Sequence, residues 1–477
     1  MKGATSWSYA PYKPLMFDSG DIYICRVAPY QTSFTCDWIS DSDESCTFHW
    51  RKEGEGDFQT ALPLSAGTIT IFDLEENTDY EFFVSSDSEI ASITKKSRAR
   101  LVRTGKPVEG GTIINYLHPR DDVYKFSGHS LCSPSIVRHP DGFLLSSMDV
   151  FSGGAPQNLT LIFRSDDDGC TWRYETELFP AFWTKLFIHK NVLYAIACST
   201  EYGDLLIGRS DDGGKTFGAP TVLFRGSCHT KEAGVHKNPQ LVVEHSDRLW
   251  ITLEWGAWAV GYHAPMMASI PIDADLLDVD NWTFTPPLPF NRKWPGLAEG
   301  VSNGNIEGCP VIGPDGELYN IMRYDMSKSE PNYGRVVAYK VNTKNPEKPL
   351  VFDRVIGFPG NHSKFEIQFD EESDLYYSII SRIRGSESSH DRNLLSLVSS
   401  PDLDHWSLVC DLIDRTDCDP KEIGFQYVDF FIEGNDILYQ CRTAINGAHN
   451  FHDANYAMFH RVKDFRSIAK GDKANGK

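Results

Sequence analysis

Titratable side chains recur at the ends of paired apolar runs in this chain. His129 precedes one such pair in FSGHSLCSP. His236 and Lys237 precede another, and Glu254 ends its second run. Lys364 opens a further pair that Arg382 closes. Arg442 closes a last one and is followed by INGAHNFHDANY, with His449 and His452. Guanidinium forks match a planar carboxylate, and an imidazole moves protons near neutral pH, so these residue types suit anion binding and proton transfer. His449 and His452 stand three apart in a loop, but no third ligand is identifiable, and no metal or cofactor is expected. Phosphate-cradling glycine loops and a GxSxG elbow are absent, which leaves nucleotide and serine-hydrolase chemistry without support.

The elements that must carry these residues repeat six times: a short apolar run, a turn of Asp, Gly or Asn type, and a second apolar run. The copies begin near Ser133, Thr184, Asn238, Gly308, Lys364 and Tyr427, as in SPSIVRHPDGFLLSSMD and GCPVIGPDGELYNIMRY. A spacing of roughly 50 to 70 residues is that of propeller blades with loop insertions. Each hairpin cannot bury both faces alone. Six stacked around an axis bury them and leave a pocket at one end. The expected fold is therefore all-β, a six-bladed β-propeller over residues 120–466.

Residues 18–105 read differently. Alternating runs at DIYICRVAP, SFTCDWIS, CTFHWRKEG, GTITIFDL, TDYEFFVSS and ARLVRTG, with turns at short intervals, predict a small β-sandwich. Trp38 is placed to fill its core, and Leu74 and Tyr80 suit a tyrosine corner. The segment resembles a fibronectin type III module. A linker is expected near residues 106–126, and residues 467–477 form a polar tail expected to be disordered.

Two segments have the form S-x-D-x-G-x-T-aromatic: Ser165 to Trp172 and Ser210 to Phe217. A degenerate third, SSPDLDHW, ends at Trp406. Such an Asp-box folds a tight turn between the outer strands of a blade. Ser and Asp bond the backbone, Gly takes positive φ and the aromatic plugs the blade. With these boxes, residues 120–466 resemble the sialidase superfamily of Asp-box (BNR-repeat) propellers. The resemblance implies site residues by motif. IEGCPVIGPDGELYNIMRY matches the fourth-blade pattern and gives Glu307 and Arg323. RNLLSLVSS gives Arg392. FQYVDFF is similar to the context of the nucleophile and gives Tyr427. In that family the Glu polarises the Tyr, which attacks the anomeric carbon, and the arginines hold the substrate carboxylate.

The departures from the family are as informative. CSPSIV stands where sialidases open blade one with R-I-P, so that arginine is absent. SGGAPQN has no carboxylate for the acid/base role, and Asp149, just before it, is the candidate substitute. A different acidic sugar, such as a uronic acid, is thus left open. The leading expectation is an exo-acting glycoside hydrolase of sialidase-like type, removing a terminal acidic or uronate-adjacent sugar from an oligosaccharide. Catalysis would use Tyr427, Glu307, Asp149 and His129; Arg323, Arg392, Arg382, Arg442, His236, Glu254 and Lys364 would bind substrate. One alternative is a lyase cleaving beside a uronate by β-elimination, with His129 or Tyr427 moving the proton. The other is a carbohydrate-binding propeller without catalysis.

Composition bounds the partners. The 66 acidic against 46 basic residues among 477 give a formal charge of −20. That argues against nucleic acid or an anionic membrane as partner, though a local basic pocket is allowed. MKGATSWSYAPYKPLMF has no charged segment followed by a long apolar core, which gives a cytoplasmic expectation, with secretion the outcome if a leader was removed. The 11 scattered cysteines lack CxxC pairs and read as free thiols, with Cys25, Cys36 and Cys46 close enough for one disulfide.

Overall fold

The computed structural model describes residues 6–7, 22–40, 45–62, 67–88, 93–227, 231–301, 304–325, 328–330, 332–383 and 390–470. The start of the sandwich span and residues 471–477 of the polar tail lie outside the described residues. The fold is all-β. The only α-helix among the described residues is Phe465–Ala469, and LDVDNW contains a single 3₁₀ turn, Val279–Asn281.

Six antiparallel sheets follow one another along the chain, each opened by one of the hairpins read from the sequence. The first holds Ser130–Arg138, Leu144–Phe151, Leu159–Ser165 and Arg173–Leu178. The second runs from Phe182–His189 to Thr221–Phe224. In the third, Gly234–His236 and Val243–His245 both pair with Arg248–Ala257. The fourth opens with Gly304–Ile312 and Leu318–Asp325, the fifth with Ile367–Asp370 and Leu375–Ser381, and the sixth with Gly424–Glu433 and Asp436–Ala444. The opening strand of the first sheet touches both the second and the sixth, so the sheets close into a propeller ring. Thr112–Tyr116, upstream of the 120–466 span, pairs with Tyr456–Val462 as the outermost strand of the sixth sheet. The two ends of the propeller are thereby bonded to each other within one sheet.

The box segments form equivalent turns. Gly169 N donates to Ser165 Oγ at 2.8 Å, and Thr171 N donates to Asp167 Oδ1 at 2.8 Å. Gly214 N to Ser210 Oγ and Thr216 N to Asp212 Oδ1 repeat this at 2.9 Å each. Gly169 and Gly214 have φ of +87° and +92°, and Trp172 and Phe217 are buried.

Before the propeller, Ile22–Pro29, Phe34–Ser40 and Thr68–Ile71 form one sheet of a sandwich. Cys46–Lys52, Asp79–Ser88 and their neighbours form the other. Trp38 and Tyr80 are buried between them, and Glu75 N donates to Tyr80 Oη at 3.0 Å. The sandwich rests on the outer strands of the ring. Arg26 donates to Ile113 O and Ile114 O at 2.8 Å each, and the buried Arg100 is ion-paired to the buried Asp121. Cys25, Cys36 and Cys46 are buried free thiols, so the disulfide that their spacing allows is not formed.

Candidate active site

The opening strands of four blades break register at one residue that adopts a left-handed backbone. Ser133, Trp183, Glu307 and Tyr427 have φ of +50°, +56°, +58° and +55°. They fall within the interrupted pairings Cys132/Ser135, Phe182/Lys185, Ile306/Gly308 and Gln426/Asp429. A bulge of this kind re-aims a side chain, and backbone strain of this sort collects at functional sites. All four residues line one cavity of about 330 Å³, within the range of small-ligand pockets.

At its centre the Tyr427 hydroxyl donates to Glu307 Oε1 at 2.8 Å. Arg323 donates to Glu307 Oε2 at 2.6 Å and to Tyr427 Oη at 3.1 Å. Burial alone would raise the Glu307 carboxyl, but Arg323, His236 and the hydrogen bonds from Arg323 and Tyr427 outweigh it and hold the carboxyl below its usual range. Burial and the Glu307 charge raise the Tyr427 phenol, with Arg323, Arg392 and Arg442 opposing. The pair is therefore a neutral phenol against a charged carboxylate, the arrangement of a nucleophile beside its base.

Arg392 and Arg442 complete the positive side. Their guanidinium carbons stand 5.8 Å and 5.0 Å from the Tyr427 ring centroid. Arg392 is held by Gln426 Oε1 and by His362 O at 3.2 Å, and Arg442 by His452 O. Among the described residues no carboxylate pairs with either. The Nε atoms of Arg323, Arg392 and Arg442 are all buried without a hydrogen-bond partner. Burial, together with the like charges of Arg323 and Arg442, lowers Arg392 to about 9, although the Tyr427 phenol opposes this. Burial and Arg442 lower His452 to about 4, so it adds no charge at neutral pH.

His236 also lines the cavity, its Nδ1 bonded to the buried Glu254. Glu254 does not line it; its other oxygen accepts from Gly308 N at 3.0 Å, which braces the bulge at Glu307. Four further residues read as binding or catalytic lie elsewhere. Arg382 turns outward along blade five to Ser396 and Asp411, at 3.0 Å and 2.6 Å. Lys364 is buried in the interior, donating to Val428 O at 2.8 Å beside Glu366. His129 is bonded through Nδ1 to Asp121 O at 3.1 Å and is not in the cavity lining. Asp149 is fully buried behind Ser133 and Trp183, accepting from Thr160 Oγ1 at 2.5 Å and Trp183 N at 2.6 Å. Burial raises it to about 7 against these bonds, but it has no face on the cavity. His449 is exposed, whereas His452 lines the cavity. Lining residues not expected from the sequence include Trp183, Glu201, Gln157 and Trp258.

No family model and no curated protein matches the chain. Among solved structures it is similar to an α-L-arabinanase of Penicillium chrysogenum complexed with arabinobiose, at 15% identity over 75% of this chain and 98% of that one, TM-score 0.48. It is similar to a leech intramolecular trans-sialidase at 10% identity over 95% and 93%, TM-score 0.47. It is also similar to a Trypanosoma rangeli sialidase at 14% identity over 73% and 56%, TM-score 0.47.

Proposed function

We propose that this chain is an exo-acting glycoside hydrolase of sialidase-like type, which removes a terminal carboxylate-bearing sugar from an oligosaccharide. The observation that carries the reading is the trio Arg323, Arg392 and Arg442. Their three guanidiniums are buried around the Tyr427 side chain, with Glu307 as the carboxylate paired to one of them. Burying unpaired guanidiniums costs several kcal/mol per ion. That cost is tolerated where a ligand supplies the missing anion, and three forks suit one planar carboxylate. The third guanidinium comes from blade six, while blade one, where the family's R-I-P arginine would stand, carries Cys132 and Ser133.

In the reaction the carboxylate would lie in the arginine fork, with the anomeric carbon above Tyr427 Oη. The phenol attacks as its proton passes to Glu307, the glycosidic C–O bond breaks, the rest of the oligosaccharide departs, and an aryl glycoside on the enzyme results. Water then releases the sugar, and Glu307 returns the proton. A neutral nucleophile avoids the repulsion that an attacking carboxylate would meet from an anionic sugar. Of the two residues that the β-elimination alternative would use to move the proton, Tyr427 lines the cavity and His129 does not.

The test is a panel of oligosaccharides ending in sialic, glucuronic or galacturonic acid, with neutral-ended controls, read by mass spectrometry and near-ultraviolet absorbance. Release of an acidic monosaccharide without new absorbance supports the reading. An absorbing unsaturated product would establish the lyase instead, and binding without release would establish the non-catalytic alternative.

A further inference from the structure

We propose that Glu201, on the turn between the second and third strands of blade two, is the proton donor to the leaving group and the base for the incoming water. The assignment rests on the hydrolase reading above. Among the described residues two carboxylates line the cavity, Glu307 and Glu201. They come from blades four and two, and Tyr427 comes from blade six, so Glu201 stands two blades from each member of the nucleophile pair.

The two carboxyls have opposite surroundings. Glu307 is bonded to a guanidinium and a phenol. Among the described residues no cation is bonded to Glu201, and its Oε2 accepts from the Gln157 amide at 3.1 Å. Burial raises the Glu201 carboxyl above the usual range, opposed by His236 and that hydrogen bond. Two carboxyls whose environments push them apart divide into acid and base roles. With the amide on Oε2, the proton of a neutral Glu201 sits on Oε1.

The turn is built to hold that carboxyl in place. Ser199 N donates to Asp204 O at 2.8 Å and Gly203 N to Thr200 O at 2.9 Å. Thr200 Oγ1 ties the turn to Pro156 O in the blade-one loop. The next residue, Tyr202, is buried, with φ of +62° and a backbone bridge to Val235 of blade three. Gln157 is itself buried, and its Oε1 has no hydrogen-bond partner. The blade-one loop that lacks a carboxylate thus reaches one through Gln157.

As Tyr427 Oη bonds to the anomeric carbon, the glycosidic C–O bond breaks and the leaving oxygen takes the Glu201 proton, departing as an alcohol. Glu201, now a carboxylate, removes a proton from water. The water oxygen bonds to the anomeric carbon, the C–Oη bond breaks, and Glu307 reprotonates the phenolate.

Glu201→Gln keeps the shape and the Gln157 contact but carries no transferable proton. The wild type and this variant are compared on 4-nitrophenyl and alkyl glycosides of sialic, glucuronic and galacturonic acid. A 4-nitrophenolate leaves without a proton; an alkoxide does not. For the sugar the wild type accepts, the variant is expected to lose about 10²–10⁴-fold on the alkyl glycoside. It should lose far less on the aryl one. Equal losses on both, in a variant with wild-type circular dichroism, overturn the assignment and leave the hydrolase reading standing. A wild type inactive on all six compounds overturns both. Glu201→Asp, which retains the acid, provides the same comparison if the Gln variant does not fold, and loss independent of the leaving group would again overturn the proposal.

Discussion

Tyr427 and Glu307 lie 120 positions apart in sequence, yet their side chains share a 2.8 Å hydrogen bond. Each sits at a left-handed bulge on the opening strand of its blade, and both side chains line the same cavity. The bond joins a phenol raised by burial to a carboxylate held low by Arg323. The proton of this pair rests on the tyrosine, and in the proposed reaction it moves to the glutamate as the oxygen attacks.

Activity should therefore fall on the acid side only when Glu307 is protonated, below the usual glutamate value of about 4.3. The same shift affects stability. The folded-state value of Glu307 lies below its unfolded value, so its contribution is present above the unfolded value and is lost as pH falls through the folded one. Glu307→Gln removes both effects. The expected result is a kcat/KM–pH profile without its acid limb in the residual activity, and a melting temperature that falls less steeply between pH 5 and pH 3 than that of the wild type. An unchanged acid limb would sink the assignment of Glu307 as base.

Removing a guanidinium should weaken binding of the acidic substrate more than it slows chemistry. Arg392→Ala and Arg442→Ala are each expected to cost about 1.5–3 kcal/mol in kcat/KM, the range for a hydrogen bond to a charged group. Neither variant should be less stable without ligand, because each removes one of two neighbouring like charges that lack a carboxylate partner. Initial-rate kinetics and thermal melts check both statements. A large drop in melting temperature without a rise in KM would recast these arginines as structural.

A buried ion pair bridges the sandwich and the ring. Arg100 is bonded to Asp121 and donates to Ile24 O at 3.0 Å, with both charged side chains almost fully buried. Arg100→Ala leaves Asp121 uncompensated, at a cost of about 3–5 kcal/mol. Chemical denaturation should register that loss. A change under about 1 kcal/mol, the ceiling for an exposed pair, would contradict the burial.

How much of this was legible can be stated by position. The hairpins and box turns follow from local chemistry: apolar runs, tight-turn residues, and Ser and Asp bonding their own backbone. The end of the second strand was also legible as a charged position. Asp149, Glu254, Arg323 and Arg442 occupy matching register, opposite Cys132, His236, Ile306 and Gln426. Which of them faces the cavity was not legible. Asp149 is taken up by Thr160 and Trp183, and Glu254 by His236 and Gly308, whereas the two arginines reach the pocket. Arg382 also ends a second run, but its side chain finds an acid on the outer strands. Trp183 was within reach, since it precedes the second hairpin copy as Glu307 precedes the fourth. Glu201 and Gln157 were not, because each lies outside the repeated hairpins, in connections with no period to read.

The most direct measurement is turnover by Tyr427→Phe on the acidic glycoside that the wild type cleaves, beside its neutral counterpart. The substitution removes the hydroxyl and keeps the ring against which Arg392 and Arg442 stand. The wild type should cleave the acidic compound and spare the neutral one. The Phe variant should fold, still bind, and lose about 10³-fold or more in kcat, as expected when a nucleophile cannot form its intermediate. A Phe variant that turns over near the wild-type rate would contradict the account.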